Sequence, residues 1–178
     1  MIVRVLCLAA LLAGLAQGAQ ADKAACRHLF QSMPHRLGAL PENERVDYEA
    51  KYPGLGYSVS YVRADKTEAT TVYFYDGAVR APTDKDLRRS FEESAVAMRA
   101  EPRLGGMAEM RAFSMTPPAH GMSYAADGTD GKGRGQILLM GLHGTCIVKL
   151  RYTGPGGRDA ALRRIGAALS ALDAVLAR

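Results

Sequence analysis

Histidine is scarce in this chain and tryptophan is missing: the 178 residues hold four of the first and none of the second. No histidine stands in a Gly-x-Ser-x-Gly, His-Glu-x-x-His or similar frame, so no set of nucleophile, base and orienting group can be read. His28 and His35 flank a proline break and His143 falls in a hairpin turn, places that suit surface or capping roles. Cysteine is as rare, with three residues and no Cys-x-x-Cys, which excludes the common dithiol redox motif. No strong excess of one charge is present either: 23 Lys and Arg stand among 18 Asp and Glu. The short basic pairs, Arg88-Arg89 and Arg163-Arg164, fall on expected helix faces. They read as solvated surface and not as a nucleic-acid footprint.

Glycine is plentiful, and its densest cluster, Gly128 to Gly135, superficially resembles a phosphate-binding loop. Such loops lead into a helix whose free N–H groups face the anion. Here Gln136 to Met140 follows, a strand pattern, and the spacing fails Gly-x-x-x-x-Gly-Lys-Ser/Thr. Asp127 and Asp130 are too sparse for a calcium loop, which needs several oxygens at fixed offsets. Residues 127–135 are expected to form a mobile turn.

The amino terminus carries the clearest signal. Arg4 precedes an apolar run from Val5 to Leu15, and Ala19-Gln20-Ala21 supplies the small-x-small pattern of a cleavage site. That order predicts an export signal over 1–21, removed at about Ala21/Asp22. The run is short of the roughly 18 to 20 residues that span a bilayer, so no stable membrane span is expected after cleavage. The remaining 157 residues, 22–178, are expected to form one domain with a net charge of +4, 22 basic residues against 18 acidic. The expected location is periplasmic or secreted. Cys7 leaves with the leader, and Cys26 and Cys146 are left as an even pair in an oxidising compartment, which predicts one disulfide. Closing a loop of about 120 residues is worth on the order of 4 to 5 kcal/mol in the chain-entropy model.

Periodicity predicts an α+β fold: an antiparallel sheet of about five to seven strands packed by amino-terminal, middle and carboxy-terminal helices. Ala25, Leu29 and Met33 make a helical stripe that Pro34 stops, and residues 34–44 read as a connection before a short edge strand at Arg45 to Tyr48. Tyr57, Val59 and Tyr61 alternate with serines and pair with Thr70 to Tyr75 as a hairpin. Thr83 and Asp86 have capping-box spacing and open a helix to about Ala100 with Leu87, Phe91, Ala95 and Met98 inward. Strands are expected at 107–115, closed by Pro117-Pro118, then at 121–126, 136–142 and 145–152. On the last of these, Cys146, Val148, Leu150 and Tyr152 share the core face and Ile147, Lys149 and Arg151 the other. A leucine-striped helix from about Asp159 to Leu176 closes the chain, packing on the sheet.

Two resemblances follow. Gly56-Tyr57-Ser58-Val59, Val72-Tyr73-Phe74-Tyr75, Lys149-Leu150-Arg151-Tyr152-Thr153 and the closing helix occur in an order that resembles the PsbP/DcrB-like fold of small exported proteins, over about residues 45–176. In overall texture the chain is similar to bacterial periplasmic proteins with no assigned activity. These likenesses imply an accessory or binding role, with a protein or envelope component as partner and no nucleic acid. The second resemblance concerns Met98, His120 and Met122, where 21 residues separate Met98 from the His-Gly-Met run. Thioether and imidazole suit Cu(I), and the spacing resembles part of the motif of cupredoxin-like periplasmic copper chaperones. That family has a His or Met ten residues before its first Met, where this chain has Asp86-Leu87. Its first Met lies on a strand, whereas Met98 completes a helix stripe. The expectation is a non-enzymatic envelope binding protein without a cofactor, with copper binding through these three residues as the alternative.

Overall fold

The computed structural model describes residues 24–101 and 107–177. The leader expected over 1–21 lies outside the described residues. Helix α1 covers 24–32. It is followed by β1 (Arg36–Leu37), β2 (Leu40–Asp47), β3 (Tyr57–Val62) and β4 (Ala69–Tyr75). After α2 (Asp84–Ala100) come β5 (Met107–Ala119), β6 (Met122–Asp130), β7 (Gly135–His143) and β8 (Cys146–Gly154), and α3 (Gly157–Leu176) closes the described chain. All neighbours are antiparallel in one sheet of order β1-β2-β3-β4-β8-β7-β6-β5.

The α+β class stands, but the sheet has eight strands, above the expected five to seven. The additional strand is β1, two residues that fold back on Leu40 and Pro41 across Gly38, whose φ is +60°. Two residues are too few to show alternation, and the local Pro and Gly disguise it as a connection. β2 likewise starts at Leu40 and not at Arg45, because its Glu42-Asn43-Glu44 run is polar enough to read as loop. β5 does not close at Pro117-Pro118 but runs through them to Ala119. It is an edge strand, where a missing N–H costs no ladder bond on the open side.

Adjacent residues of single strands enter different cores, so the sheet is packed on both faces. On the first face, α1 and α3 cover Val59, Tyr61, Val72, Phe74, Leu150 and Tyr152 together with Cys146 and Val148. Cys26 of α1 and Cys146 of β8 are joined by a disulfide there, their Cα atoms 5.2 Å apart. Arg45 of β2 secures the same helix by donating to the Phe30 and Met33 carbonyls at 2.8 and 2.5 Å. Both lie at the carboxy-terminal end of α1, where helix carbonyls run short of internal N–H partners.

On the second face, α2 covers β5 to β7 and buries Leu87, Phe91, Ala95 and Met98 on Leu138, Met140, Tyr124 and Ile147. Its start follows the capping box, the Asp86 carboxylate accepting the Thr83 N–H at 3.0 Å and hydroxyl at 2.7 Å. α2 reaches the rest of the sheet at Tyr75, whose hydroxyl shares a 2.8 Å hydrogen bond with Ser90. Among the described residues α2 meets β4 at Tyr75 and does not extend over the second face of β2 and β3.

Residues 127–135 are mostly strand. β6 extends to Asp130, leaving only 131–134 as the turn. The extension holds because its carboxylates are paired. Asp127 accepts from Arg158 at 2.5 and 3.2 Å, and Asp130 from Arg134 and Gln136 at 2.9 Å each.

Candidate functional site

A row of side chains crosses the second face perpendicular to the strands: Val46, Ser58, Tyr73, Lys149, Met140 and Tyr124 are successive register partners on β2, β3, β4, β8, β7 and β6. The last two lie in the core beneath α2; the first three lie beyond its cover, Val46 and Tyr73 partly exposed and Ser58 buried beside Tyr48. Lys149 therefore sits on the boundary, where the apolar cover of α2 ends.

A pocket of about 390 Å³ opens there between α2 and the sheet. Tyr73 and Tyr75 of β4 and Ile147 and Lys149 of β8 form its floor, and Asp86, Arg89, Ser90 and Glu93 of α2 form one wall. The opposite wall is the turn after β2, with Tyr48 and Leu55. That turn is held in shape by Glu49, whose carboxylate accepts the N–H groups of Gly54 and Gly56 at 2.8 Å each. Gly56 has φ +69°, and a Cβ on it would fall 1.9 Å from the Phe74 carbonyl oxygen. The turn therefore lies against β4 only because residue 56 has no side chain.

Lys149 is the unusual group. Its ammonium lies 4.5 Å from the Tyr73 ring centroid and 5.2 Å from that of Tyr75. Among the described residues it makes no ion pair and no hydrogen bond. Of the pocket's carboxylates, Asp86 holds Thr83 and Arg89, Asp76 accepts the Ala78 N–H at 2.8 Å, and Glu93 acts on Tyr75 with no ion pair of its own among the described residues. Burial, and secondarily the neighbouring Arg151 cation, pushes the Lys149 amine down to about 8. Burial also raises the Tyr75 phenol to about 12, partly countered by its bond to Ser90, so it stays neutral beside the lysine. The site can thus offer one cation poised near neutrality, two aromatic faces and an apolar wall. That combination can bind and orient a ligand.

A second hollow of about 480 Å³ lies by Asp127, Thr129 and Arg158. Its charges already satisfy each other: Arg158 takes both Asp127 oxygens, and its backbone N–H donates to the Thr129 hydroxyl at 3.2 Å. The first face has a third polar knot at the buried Glu68, which accepts from Tyr152 at 2.8 Å and pairs with Arg63 and Arg164.

Of the residues singled out from the sequence, Cys26 and Cys146 are brought together. Met98, His120 and Met122 are not. Met98 is buried under α2 on the second face, Met122 lies in the core of the first face, and the sheet separates them. His120 sits in the β5–β6 turn with φ +54° and pairs through its ring with Asp173 of α3. Among the described residues no three His, Cys, Asp or Glu side chains converge as a metal site would need. Lys149 was readable as a residue of β8 on the face opposite Cys146, but its contact with the tyrosines of β4 was not. What the sequence did not show is that α2 covers only half of that face. No family model, curated protein or solved structure matches this chain.

Proposed function

We propose that this chain is an exported, non-enzymatic binding protein of the bacterial envelope, with the pocket beside α2 and the open half of the second face as its binding surface. The observation that carries this reading is the position of Lys149, a cation with no ion pair among the described residues, in an open pocket at the edge of the part of the face that α2 covers. Soluble proteins rarely leave a half-buried charge unpaired without use for it, because desolvation disfavours the charged form. Export is supported by the leader pattern at 1–21 and by the disulfide, a bond that persists in oxidising compartments. Among the described residues no helix is long and apolar enough to cross a membrane. The resemblance to the PsbP/DcrB-like fold belongs to this proposal and points to binding in the same way.

Backbone amide NMR of the purified protein against a small-molecule fragment library tests the surface. Shifts are expected to cluster on β4, β8 and the facing turns of α2. Shifts confined to the α3 side, or none with any fragment, would overturn the assignment. Export has its own check, since the protein recovered from the periplasm should begin at Asp22, and turnover of ester, peptide or glycan substrates would remove the non-enzymatic part.

A further inference from the structure

We infer that the pocket binds a small amphipathic carboxylic acid, its carboxylate on the Lys149 ammonium and its apolar body against Leu55, Val79 and Ile147. The inference rests on the reading of this face as the binding surface and adds the class of ligand.

Lys149 faces Tyr73 and Tyr75 on β4, Asp86, Arg89 and Glu93 on α2, Tyr48 and Asp76 in the flanking turns, and Arg151 on its own strand. Asp86 and Arg89 pair with one another at 3.0 Å, and the other carboxylate that α2 brings to the pocket, Glu93, acts on Tyr75 and not on the Lys149 amine. The aromatic rings attract the ammonium but supply no hydrogen-bond acceptor of formal charge. An anion at this point would gain a charge-assisted hydrogen bond from the amine and would sit near a second cation, Arg151.

Shape and lining then decide what kind of anion. A volume of about 390 Å³ falls in the range of small-molecule sites and exceeds what a bare inorganic ion fills. Leu55, at the rim, is 58 % exposed, and Val79 is half-buried, so apolar surface is left for a ligand to cover. A cation at one end and apolar side chains at the other match a molecule with a carboxylate head and a hydrocarbon or aromatic body.

Binding should also take up protons. The acid pairs with the protonated amine, and a fraction of the free protein has lost that proton at mildly alkaline pH. Carboxylates, guanidinium groups and phenols ordinarily titrate outside the window from about pH 7 to about pH 9, which leaves the amine to set the dependence there. With the free amine at about 8, most molecules are protonated at the lower limit of that window and few at the upper one. The dissociation constant should therefore weaken about tenfold across it.

Calorimetric titration of the purified protein with octanoate, octanol, octylamine and inorganic phosphate, with amide NMR to locate each probe, tests the inference. Octanoate is expected to bind about tenfold more tightly than octanol, and octylamine more weakly than either. Lys149→Met should abolish the preference for the acid. Lys149→Arg, whose charge is permanent, should keep octanoate binding and lose its pH dependence. Octanol matching octanoate, phosphate outcompeting it, or a dissociation constant flat with pH in the unaltered protein would overturn the inference. If octanol or octylamine perturbs this face without preference for the acid, the ligand class falls and the binding surface stands. If no probe reaches the face, both fall.

Discussion

Replacing Lys149 by methionine should make the protein more stable at neutral pH, the reverse of what most substitutions at half-buried positions do. The magnitude follows from the amine's displacement from 10.5 to about 8 in the folded state. Each pKa unit corresponds to about 1.4 kcal/mol, which sets a ceiling of about 3 kcal/mol on the cost of holding the charged form in place. Methionine keeps an unbranched apolar stem and gives up the contact with the two tyrosine rings, worth about 1 kcal/mol. The net gain is then about 2 kcal/mol, or an upward shift of about 1 M in the urea midpoint for an m-value near 2 kcal/mol/M.

The pH dependence identifies the cause. Between about pH 8 and the unfolded lysine value the unfolded chain binds more protons than the folded one, so the unaltered protein gains stability as pH rises there. The advantage of the methionine variant should be full at neutral pH and shrink through that window until little remains at about pH 10.5. Urea unfolding of both proteins at pH intervals of about one unit, followed by circular dichroism, measures it. A variant less stable at neutral pH, or an offset that does not change with pH, would refute the claim that the charge is held at a cost. A gain in stability bought with a loss of ligand is also the pattern expected of a functional residue.

The remaining expectations concern the frame that holds the site. The Cys26→Ala, Cys146→Ala double variant loses a link spanning 120 residues of sequence. Its chain-entropy ceiling is about 5 kcal/mol and measured losses are commonly 2 to 4, so a loss under about 1 kcal/mol in urea unfolding would contradict it. Glu68→Gln should cost about 2 kcal/mol by the same assay, because two arginines and the Tyr152 hydroxyl converge on that buried carboxylate. Burial acts to raise the Glu68 carboxyl, but hydrogen bonds from Arg63 and Tyr152 outweigh it and hold it below the usual range. Its contribution is therefore present above the unfolded carboxyl value and lost as pH falls through the lowered folded one, and acid unfolding of Glu68→Gln should be correspondingly flatter. Gly135→Ala would put a Cβ 2.2 Å from the Gly157 carbonyl oxygen and 2.5 Å from the Ala161 Cβ, pushing α3 off the sheet. A loss of about 2 kcal/mol is expected, and an unchanged melting temperature would show that α3 is not seated there.

Much of the frame was legible because it is local or periodic. The β3–β4 hairpin alternates cleanly, the Thr83–Asp86 box marks the start of α2, and the even pair of cysteines pointed to a bond that the fold makes. What escaped was decided by pairing across the fold. Asp127 reads as loop because it is a charge beside glycine, yet it lies inside β6 since Arg158, 31 residues on, neutralises it. β1 was hidden because two residues carry no period. Met98 and Met122 look like a pair in sequence, and only the position of α2 shows that they belong to opposite faces. The site was half visible in the same sense. Alternation put Lys149 and Arg151 on the face of β8 opposite Cys146, but the extent of cover over that face is a property of where a helix ends in space.

Following the Lys149 side chain itself through a pH titration tests the account most directly. With 13C-labelled lysine and the Lys149→Arg variant to assign the signal, the Cε shift should report a midpoint of about 8 in the free protein, moving upward when octanoate is added. A midpoint near the ordinary lysine value of about 10.4, unmoved by octanoate, would mean the amine is already solvated or already paired. The open half of the sheet would then have no claim to be a binding surface.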